Sequence, residues 1–444
     1  MVTAPEPGPT ERHTDESSRL LAEATELIPN ATNTGSKGPS NWVQGVAPTH
    51  MERGDGCRCW DVDGNEYIDY PMARGPIVLG HNYPAVSEAV VEQVRKGTAF
   101  STPHRLQVEV AKQIIELVPC AEMVRFAKNG NDVTAAAAKL ARAHTDRTVI
   151  ASQGYHGWPD VWMANSRANA GIPPGIAAYT ASFAYNDLES LEAIFDEYPD
   201  DVAAVVMNPV ATTPPADDFL AEAKSLAHEH GALLVFDEIV TGFRFAPGGA
   251  QEFFDVTPDL GCFAKAIANG MPLSCLAGRT DVMRTLERDD IVFSLTYGGE
   301  AASLAAAKAA LAIHRDEPVA EHLHEVGDSL VAGYNRLAAD HDLEHLTYCS
   351  GYGPRSSITF EGTETVDGNV VESLFQQECL KRGVLYAGVQ FPTYSHTPED
   401  IDYTLDVYDV ALDVVATGLE AGDAADRLEG SPIGAPLPQR TGQA

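Results

Sequence analysis

Ala232-Leu233-Leu234-Val235-Phe236-Asp237-Glu238-Ile239, followed by Lys265 within Phe263-Ala264-Lys265-Ala266-Ile267-Ala268-Asn269-Gly270, decides the fold. The apolar run is short, rich in β-formers and preceded by a helical stretch, so it predicts a buried parallel strand. Open α/β sheets bind ligands beyond the carboxyl ends of such strands, and Asp237 stands at that end. Each residue alone has a plainer explanation. Acidic residues often end buried strands where the chain returns to solvent, and a loop lysine is ordinarily solvated. Their weight comes from what surrounds them.

Working outward, residues 84–310 alternate helical and short apolar segments, which predicts βαβ units and a mostly parallel sheet. Helices are expected at 84–96, 105–117, 132–144, 187–197 and 217–230, and strands at 123–127, 147–151, 202–207, 232–236 and 275–277. Residues 152–186 break this rhythm. They form a long stretch rich in Gly, Pro, Asn and Ala, the composition of a lid or binding loop. Before this domain, 1–16 have a disordered composition and 17–28 have helical spacing. A loop is expected at 29–41 and a hairpin at 57–70, turning at Asp63-Gly64. Residues 17–83 then belong to a smaller domain completed by 311–427, with long helices expected at 316–340, 368–382 and 399–418. Residues 428–444 have the composition of a loose tail. No internal repeat is visible.

The 444 residues include 30 basic and 64 acidic side chains, a formal net charge of −34. Without a basic stripe to displace counterions, a nucleic-acid surface is not expected, nor is binding to anionic membranes. Such an acidic excess suggests a protein adapted to high salt, where self-repulsion is screened. The seven cysteines include no Cys-x-x-Cys pair. Cys57 and Cys59 alternate along a strand-like stretch and point to opposite faces, so free thiols in a reducing cytoplasm are expected. No apolar stretch is long enough for a signal core or a membrane span. No metal site is expected either: His322 and His324, like His228 and His230, stand two apart on helices and diverge.

Two further segments have the form of anion sites. Val124-Arg125-Phe126-Ala127, Lys128-Asn129-Gly130-Asn131 and Asp132-Val133-Thr134 read as strand, turn and helix start. Unpaired N–H groups and the helix dipole make such a start receptive to phosphate. The same pattern also reads as a capped helix with Asn131 or Asp132 as N-cap. Leu295-Thr296-Tyr297-Gly298-Gly299-Glu300 precedes an Ala-rich helix in the same way. In the lid, Gly154-Tyr155-His156-Gly157-Trp158 offers an aromatic side chain between glycines, suited to stacking on a conjugated ring. Taken together with Asp237 and Lys265, these parts are what a pyridoxal 5′-phosphate site requires. The lysine forms the Schiff base, and the carboxylate keeps the pyridine nitrogen protonated so that the ring accepts electrons.

In this order the segments resemble those of the class III, fold-type I PLP-dependent aminotransferases, a group that includes the glutamate-1-semialdehyde 2,1-aminomutases. The resemblance runs from about residue 20 to 418. It rests on Asp237-Glu238-Ile239-Val240-Thr241-Gly242-Phe243-Arg244, on Pro258-Asp259-Leu260 with Lys265, and on Gly270-Met271-Pro272. Asp61-Val62-Asp63-Gly64-Asn65-Glu66-Tyr67-Ile68-Asp69-Tyr70 and Gly80-His81 match as well. The resemblance implies an α/β fold of type I: a mostly parallel central sheet flanked by helices, with a smaller α+β domain from the two chain ends. It also implies that Lys265 is the catalytic lysine and shuttles a proton, with Asp237 on the pyridinium nitrogen. Ile239 and Tyr155 would flank the ring, with His156 also among the cofactor-binding residues. Gly130 and Asn131 would cradle the phosphate. Thr296 would reach the phosphate of a partner subunit, since the family builds each site at a homodimer interface. Residues 152–182 would be the gating segment.

Several positions depart from the aminomutase pattern. Asn208-Pro209-Val210 replaces Glu-Pro-Val and loses a carboxylate. Asn33-Thr34-Gly35-Ser36-Lys37 lacks the carboxylate-binding arginine, whose bidentate grip lysine does not reproduce. Gly388-Val389-Gln390-Phe391-Pro392-Thr393-Tyr394-Ser395-His396 replaces the Phe-Glu-Ala-Gly-Phe stretch. These changes favour an aminotransferase working between an amino acid donor and a carbonyl acceptor through pyridoxamine phosphate. The aminomutase reaction, which returns the amine to the same skeleton, is the alternative. A cofactor-binding protein without catalysis is a third reading, opposed by intact Lys265 and Asp237.

Overall fold

The computed structural model describes residues 12–211 and 213–435. These form two compact units. One is Pro84–Glu321; the other combines the residues up to Tyr83 with those from His322 onward.

In chain order, the second of these begins with α1 (Asp15–Leu27), β1 (Met51–Asp55), β2 (Arg58–Asp61) and β3 (Glu66–Asp69). The hairpin at Asp63-Gly64 forms, with Cys59 opposite Tyr67. Asp15 and Glu16, expected to be disordered, already lie in α1: Asp63 accepts hydrogen bonds from the amides of Glu16 and Ser17 and ties the helix start to the hairpin. The rest of the expected disordered segment, apart from residues 12–14, lies outside the described residues.

Pro84–Glu321 contains α2 (Pro84–Lys96), α3 (Leu106–Leu117), β4 (Met123–Ala127), α4 (Gly130–Thr145), β5 (Val149–Gln153), α5 (Asp160–Met163), β6 (Thr180–Ser182), α6 (Leu188–Glu197) and β7 (Val202–Met207). These are followed by α7 (Phe219–Glu229), β8 (Leu233–Asp237), α8 (Ala250–Phe253), β9 (Leu260–Phe263), β10 (Ser274–Gly278), α9 (Thr280–Met283) and α10 (Ala301–Asp316). Seven strands form one sheet in the order β4-β10-β9-β8-β7-β5-β6. It is parallel from β9 to β6, while β10 runs antiparallel to both β9 and β4. Alternate residues face opposite sides of a strand. Leu233 and Val235 therefore join the α4 residues Ala137 and Leu140 on one face. Leu234 and Phe236 join Leu191 of α6 and Ala223 of α7 on the other. Both faces are covered, which is why the strands read as unbroken apolar runs.

Two strands of this seven-stranded sheet were not expected from the sequence. β9 is only Leu260-Gly261-Cys262-Phe263, and an internal glycine gives little strand signal. β6 is three residues on the sheet edge. It lies inside the expected lid, which also holds α5 and a 3₁₀ turn at Pro174–Tyr179, so that segment is folded rather than one open loop. The expected break at residue 311 falls inside α10, whose Leu311 is fully buried. The units divide instead at Glu321/His322, early in α11 (Val319–Asp340).

The remaining elements are β11 (Thr347–Tyr352), β12 (Arg355–Phe360), α12 (Gly368–Lys381), β13 (Val384–Leu385), β14 (Val389–Gln390) and α13 (Pro398–Ala421). β13 adds to the first sheet, ordered β1-β2-β3-β13, and β11-β12-β14 form a second. Tyr70, Leu330, Tyr334, Phe375, Tyr386, Tyr408 and Leu412 pack into their common core. Residues 428–435, expected to be loose, are docked on this unit. Ser431 pairs with Gln44, and Gln377 and Ser373 accept the amides of Glu429 and Ile433. The rest of that tail lies outside the described residues. All seven cysteines are unpaired and buried. Among the described residues no helix is long and apolar enough to cross a membrane, and no cluster of metal-ligating side chains occurs.

Candidate active site

β8 and β9 run parallel, with Asp237 in register with Cys262. By strand alternation Asp237 shares the α4-facing side of Leu233 and Val235. Lys265 follows Cys262 by three residues, so both candidate residues leave the sheet at neighbouring carboxyl ends. Lys265 is half-buried and has φ of +43°. A left-handed conformation in a residue other than glycine costs on the order of 1 kcal/mol or more and persists only where the surroundings impose it. The turn Lys265–Ala268 packs on α10. There the fully buried His314 hydrogen-bonds the backbone of Ala266, and burial, aided by the charge of Arg244, pushes its pKa down to about 3. The lysine turn therefore rests on a neutral imidazole.

Asp237 is 3% exposed. Its Oδ2 lies 2.7 Å from Nδ1 of His156, and its Oδ1 accepts the amide of Ile239 at 3.1 Å. A carboxylate can only accept, so Nδ1 carries the proton. The buried Nε2 of His156 has no hydrogen-bond partner among the described residues. Thr134 of α4 donates to the His156 carbonyl at 2.7 Å, and Trp162 packs edge-on against the ring at 4.9 Å. His156, read from sequence among the cofactor-binding residues, is thus bound directly to Asp237.

The phosphate turn differs in detail from expectation. α4 begins at Gly130 with Asn129 as its N-cap, not Asn131 or Asp132. Asp132, in the first turn, accepts the amides of Lys128 (3.2 Å) and Asn129 (2.8 Å). Gly130 and Asn131 supply first-turn N–H groups, which a helix cannot satisfy internally. Ile239 lies over this turn: a Cβ on Gly130 would come 2.5 Å from its Cδ1. Gly130, Asn131, Asp237, His156 and Ile239 are therefore one contiguous group.

Tyr155 and Thr296 stand apart from that group. Tyr155 is 71% exposed, between Gly154 and the buried His156. Gly154 has φ of +100°, and a Cβ there would fall 1.9 Å from Oδ1 of Asn208 at the end of β7. Thr296 is exposed on the wall of a cleft of about 970 Å³ that Phe100, His104, Gln107 and Arg125 also line.

Sequence reading passed over the pair that ties the two Gly-containing segments together. Lys128 Nζ lies 3.0 Å from Glu300 Oε2 and 3.1 Å from Ser303 Oγ. Glu300 also caps α10 by accepting the amides of Ala302 and Ser303. Burial opposes its charge, but the hydrogen bonds from Ser303 and Lys128 outweigh it and hold the carboxyl below its usual range. The only local signal was the position of Lys128 immediately before Asn-Gly.

The sequence pattern of the class-III aminotransferases matches residues 41–411. A glutamate-1-semialdehyde 2,1-aminomutase of Syntrophobacter fumaroxidans is 34% identical over 419 residues, covering 88% of this chain and 96% of its own. The FumI protein of a Sphingopyxis species, solved in its PLP internal aldimine form, superposes with a TM-score of 0.84 at 30% identity, covering 91% of this chain and 97% of its own. A β-phenylalanine aminotransferase of Variovorax paradoxus gives a TM-score of 0.78 at 26% identity, covering 94% and 97%. With the doubly covered sheet and the Asp237–Lys265 edge, these likenesses make the chain a member of the class-III aminotransferase family.

Proposed function

We propose that the protein transfers an amino group from an amino acid donor to a carbonyl acceptor, with pyridoxal 5′-phosphate as its cofactor. When bound, the cofactor supplies a conjugated electron sink. The rest falls to the chain. Lys265 would hold the cofactor covalently through Nζ and, once released, carry the proton taken from the substrate's α-carbon. Asp237 would keep the pyridine nitrogen protonated, with His156 keeping the carboxylate oriented. Gly130 and Asn131 would hold the phosphate through their amides. Ile239 and Tyr155 would cover the two ring faces.

The observation that carries this reading is the register that brings Asp237 and Lys265 to adjacent strand ends, with His156 2.7 Å behind the carboxylate. The first-turn amides of α4, which a helix cannot satisfy internally, fit a phosphate, and Ile239 packs directly on Gly130 beside them. A homodimer with shared sites is part of the proposal. Its support is the cleft around Thr296, beside which Phe100 is 50% and Tyr297 61% exposed. Buried unpaired cysteines accord with a reducing cytoplasm, and the net charge of −34 with function at high salt.

Borohydride reduction followed by peptide mapping tests the reading: the label should fall on Lys265, and Lys265→Ala should neither trap the cofactor nor turn over. A turning-over Lys265→Ala would end it. The aminomutase reaction remains the second reading because of the 34% identical relative. The two half-reactions, assayed separately, divide them: an aminomutase transfers little nitrogen to an external 2-oxo acid.

A further inference from the structure

Three neighbouring parallel strands, β5, β7 and β8, end level with one another. Met207 pairs with Gln153 on one side and with Phe236 on the other. The next residues, Gly154, Asn208 and Asp237, therefore stand in a row at three carboxyl ends. Strand alternation fixes the face as well. Ala204, Val206, Leu233 and Val235 pack on the α4 side of the sheet. Asn208 and Asp237, each two residues further on, direct their side chains to that same side. Paired strands lie about 5 Å apart, so the two side chains are neighbours.

Asn208 is half-buried, and its amide makes no hydrogen bond to a described residue. Gly154, with φ of +100°, presses on it from the lid: a Cβ there would fall 1.9 Å from Oδ1. The amide is thus hemmed in at its oxygen, while Nδ2 keeps two N–H donors unused. It is also neutral at a position where the aminomutase pattern has glutamate. A second carboxylate beside Asp237 would repel any anionic group brought there; an amide donates to it instead.

The ring substituents divide in the same way as the strands. A pyridoxal ring carries its phosphate arm on one side of the nitrogen–aldehyde axis and its hydroxyl on the other. In the sheet, β4, which leads into the phosphate turn, lies on one side of β8, and β7 lies on the other. With the nitrogen on Asp237 and the phosphate on the α4 start, the hydroxyl edge is the one left for β7. We propose that Asn208 is a positioning residue for the cofactor, donating from Nδ2 to the ring hydroxyl oxygen. This rests on the aminotransferase reading and adds a residue to that site.

The visible absorbance of the bound cofactor, followed against pH in the full-length protein, tests the assignment. The ring oxygen, as an anion, helps to hold the proton on Lys265 Nζ. A donor that takes up part of its charge loosens that proton and sets the absorbance transition at lower pH. Asn208→Leu, similar in size but without donors, should raise the transition by about one to two pH units, the worth of one charged hydrogen bond. Asn208→Asp, which puts a carboxylate there, should raise it further. Cofactor affinity, read by fluorescence titration, should fall about 10- to 100-fold in both.

A transition that stays in place or moves down in either variant would overturn the proposal. A residue that only supported the lid at Gly154 would lower the melting temperature and leave the transition where it was. If one variant does not fold, the other decides. Borohydride trapping on the unaltered protein separates the two readings. No label on Lys265 ends both; a label with an unmoved transition in the variants ends only the role of Asn208.

Discussion

Nδ1 of His156 and Oδ2 of Asp237 lie 2.7 Å apart, with both side chains almost wholly buried. In so dry a place the hydrogen bond fixes the carboxylate's direction, and loss of one partner leaves the other stranded. Replacing His156 with Phe should weaken cofactor binding by about 10- to 100-fold, in keeping with a charged hydrogen bond. Asp237→Asn should remove the anion itself and lower kcat by about 100-fold or more, in keeping with loss of an electrostatic partner at a reacting group. Cofactor titration by fluorescence and steady-state kinetics measure the two. If His156→Phe binds the cofactor normally, the ring is only packing.

Gly130 and Ile239 are matched by shape. Gly130→Ala pushes a methyl group to 2.5 Å from Ile239 Cδ1, overpacking that costs about 1–3 kcal/mol. Ile239→Ala should make room, so the double variant should recover most of what Gly130→Ala loses. Urea denaturation of the four proteins in the cycle measures the coupling. Additive losses would show that the two side chains do not meet.

Lys128 and Glu300 are 15% and 16% exposed, sheltered enough for their ion pair to matter. Lys128→Met leaves the Glu300 carboxylate partly uncompensated and should cost about 1–3 kcal/mol. Once the lysine is gone, Glu300→Gln should cost less than in the unaltered protein, since only its part in capping α10, and no longer the ion pair, is then weakened. A double-mutant cycle by chemical denaturation reads the pair directly, and a coupling energy near zero would place both residues in solvent.

Acid should destabilise the fold through two buried histidines. Burial pushes His314 down to about 3 and His396 down to about 4, against an ordinary value of 6.5. Below pH 6.5 the unfolded chain takes up protons that the folded chain refuses, so stability falls as pH falls, down to about pH 3 for His314 and about pH 4 for His396. Each contributes on the order of 1.4 kcal/mol per pH unit within its window. Guanidinium melts at pH 6.5 and 5 should show the decline, and His314→Asn should flatten it. A slope unaffected by His314→Asn would assign the acid sensitivity to carboxylates instead.

The sheet was legible because its strands are buried on both faces. Val202–Met207 and residues 233–236 are apolar without interruption, as strands buried on both faces are. That Asp237 ends a strand and that Gly130 sits where a turn passes into a helix was also legible, since each lies in a characteristic local pattern. β9 was not, because Gly261 weakens its signal and only its neighbours make it a strand.

From residue order alone came the alternation of helix and strand, the acidic excess and the expectation of a pyridine-aldehyde cofactor. Contacts between residues far apart in the chain were settled only by folding. His156 meets Asp237 81 residues away, Lys128 meets Glu300 172 residues away, and Arg74 bridges carbonyls 38 and 313 residues distant. Local sequence carries propensity and spacing, which depend on near neighbours. A hydrogen bond between distant segments depends on how the whole chain closes, and no short stretch records that.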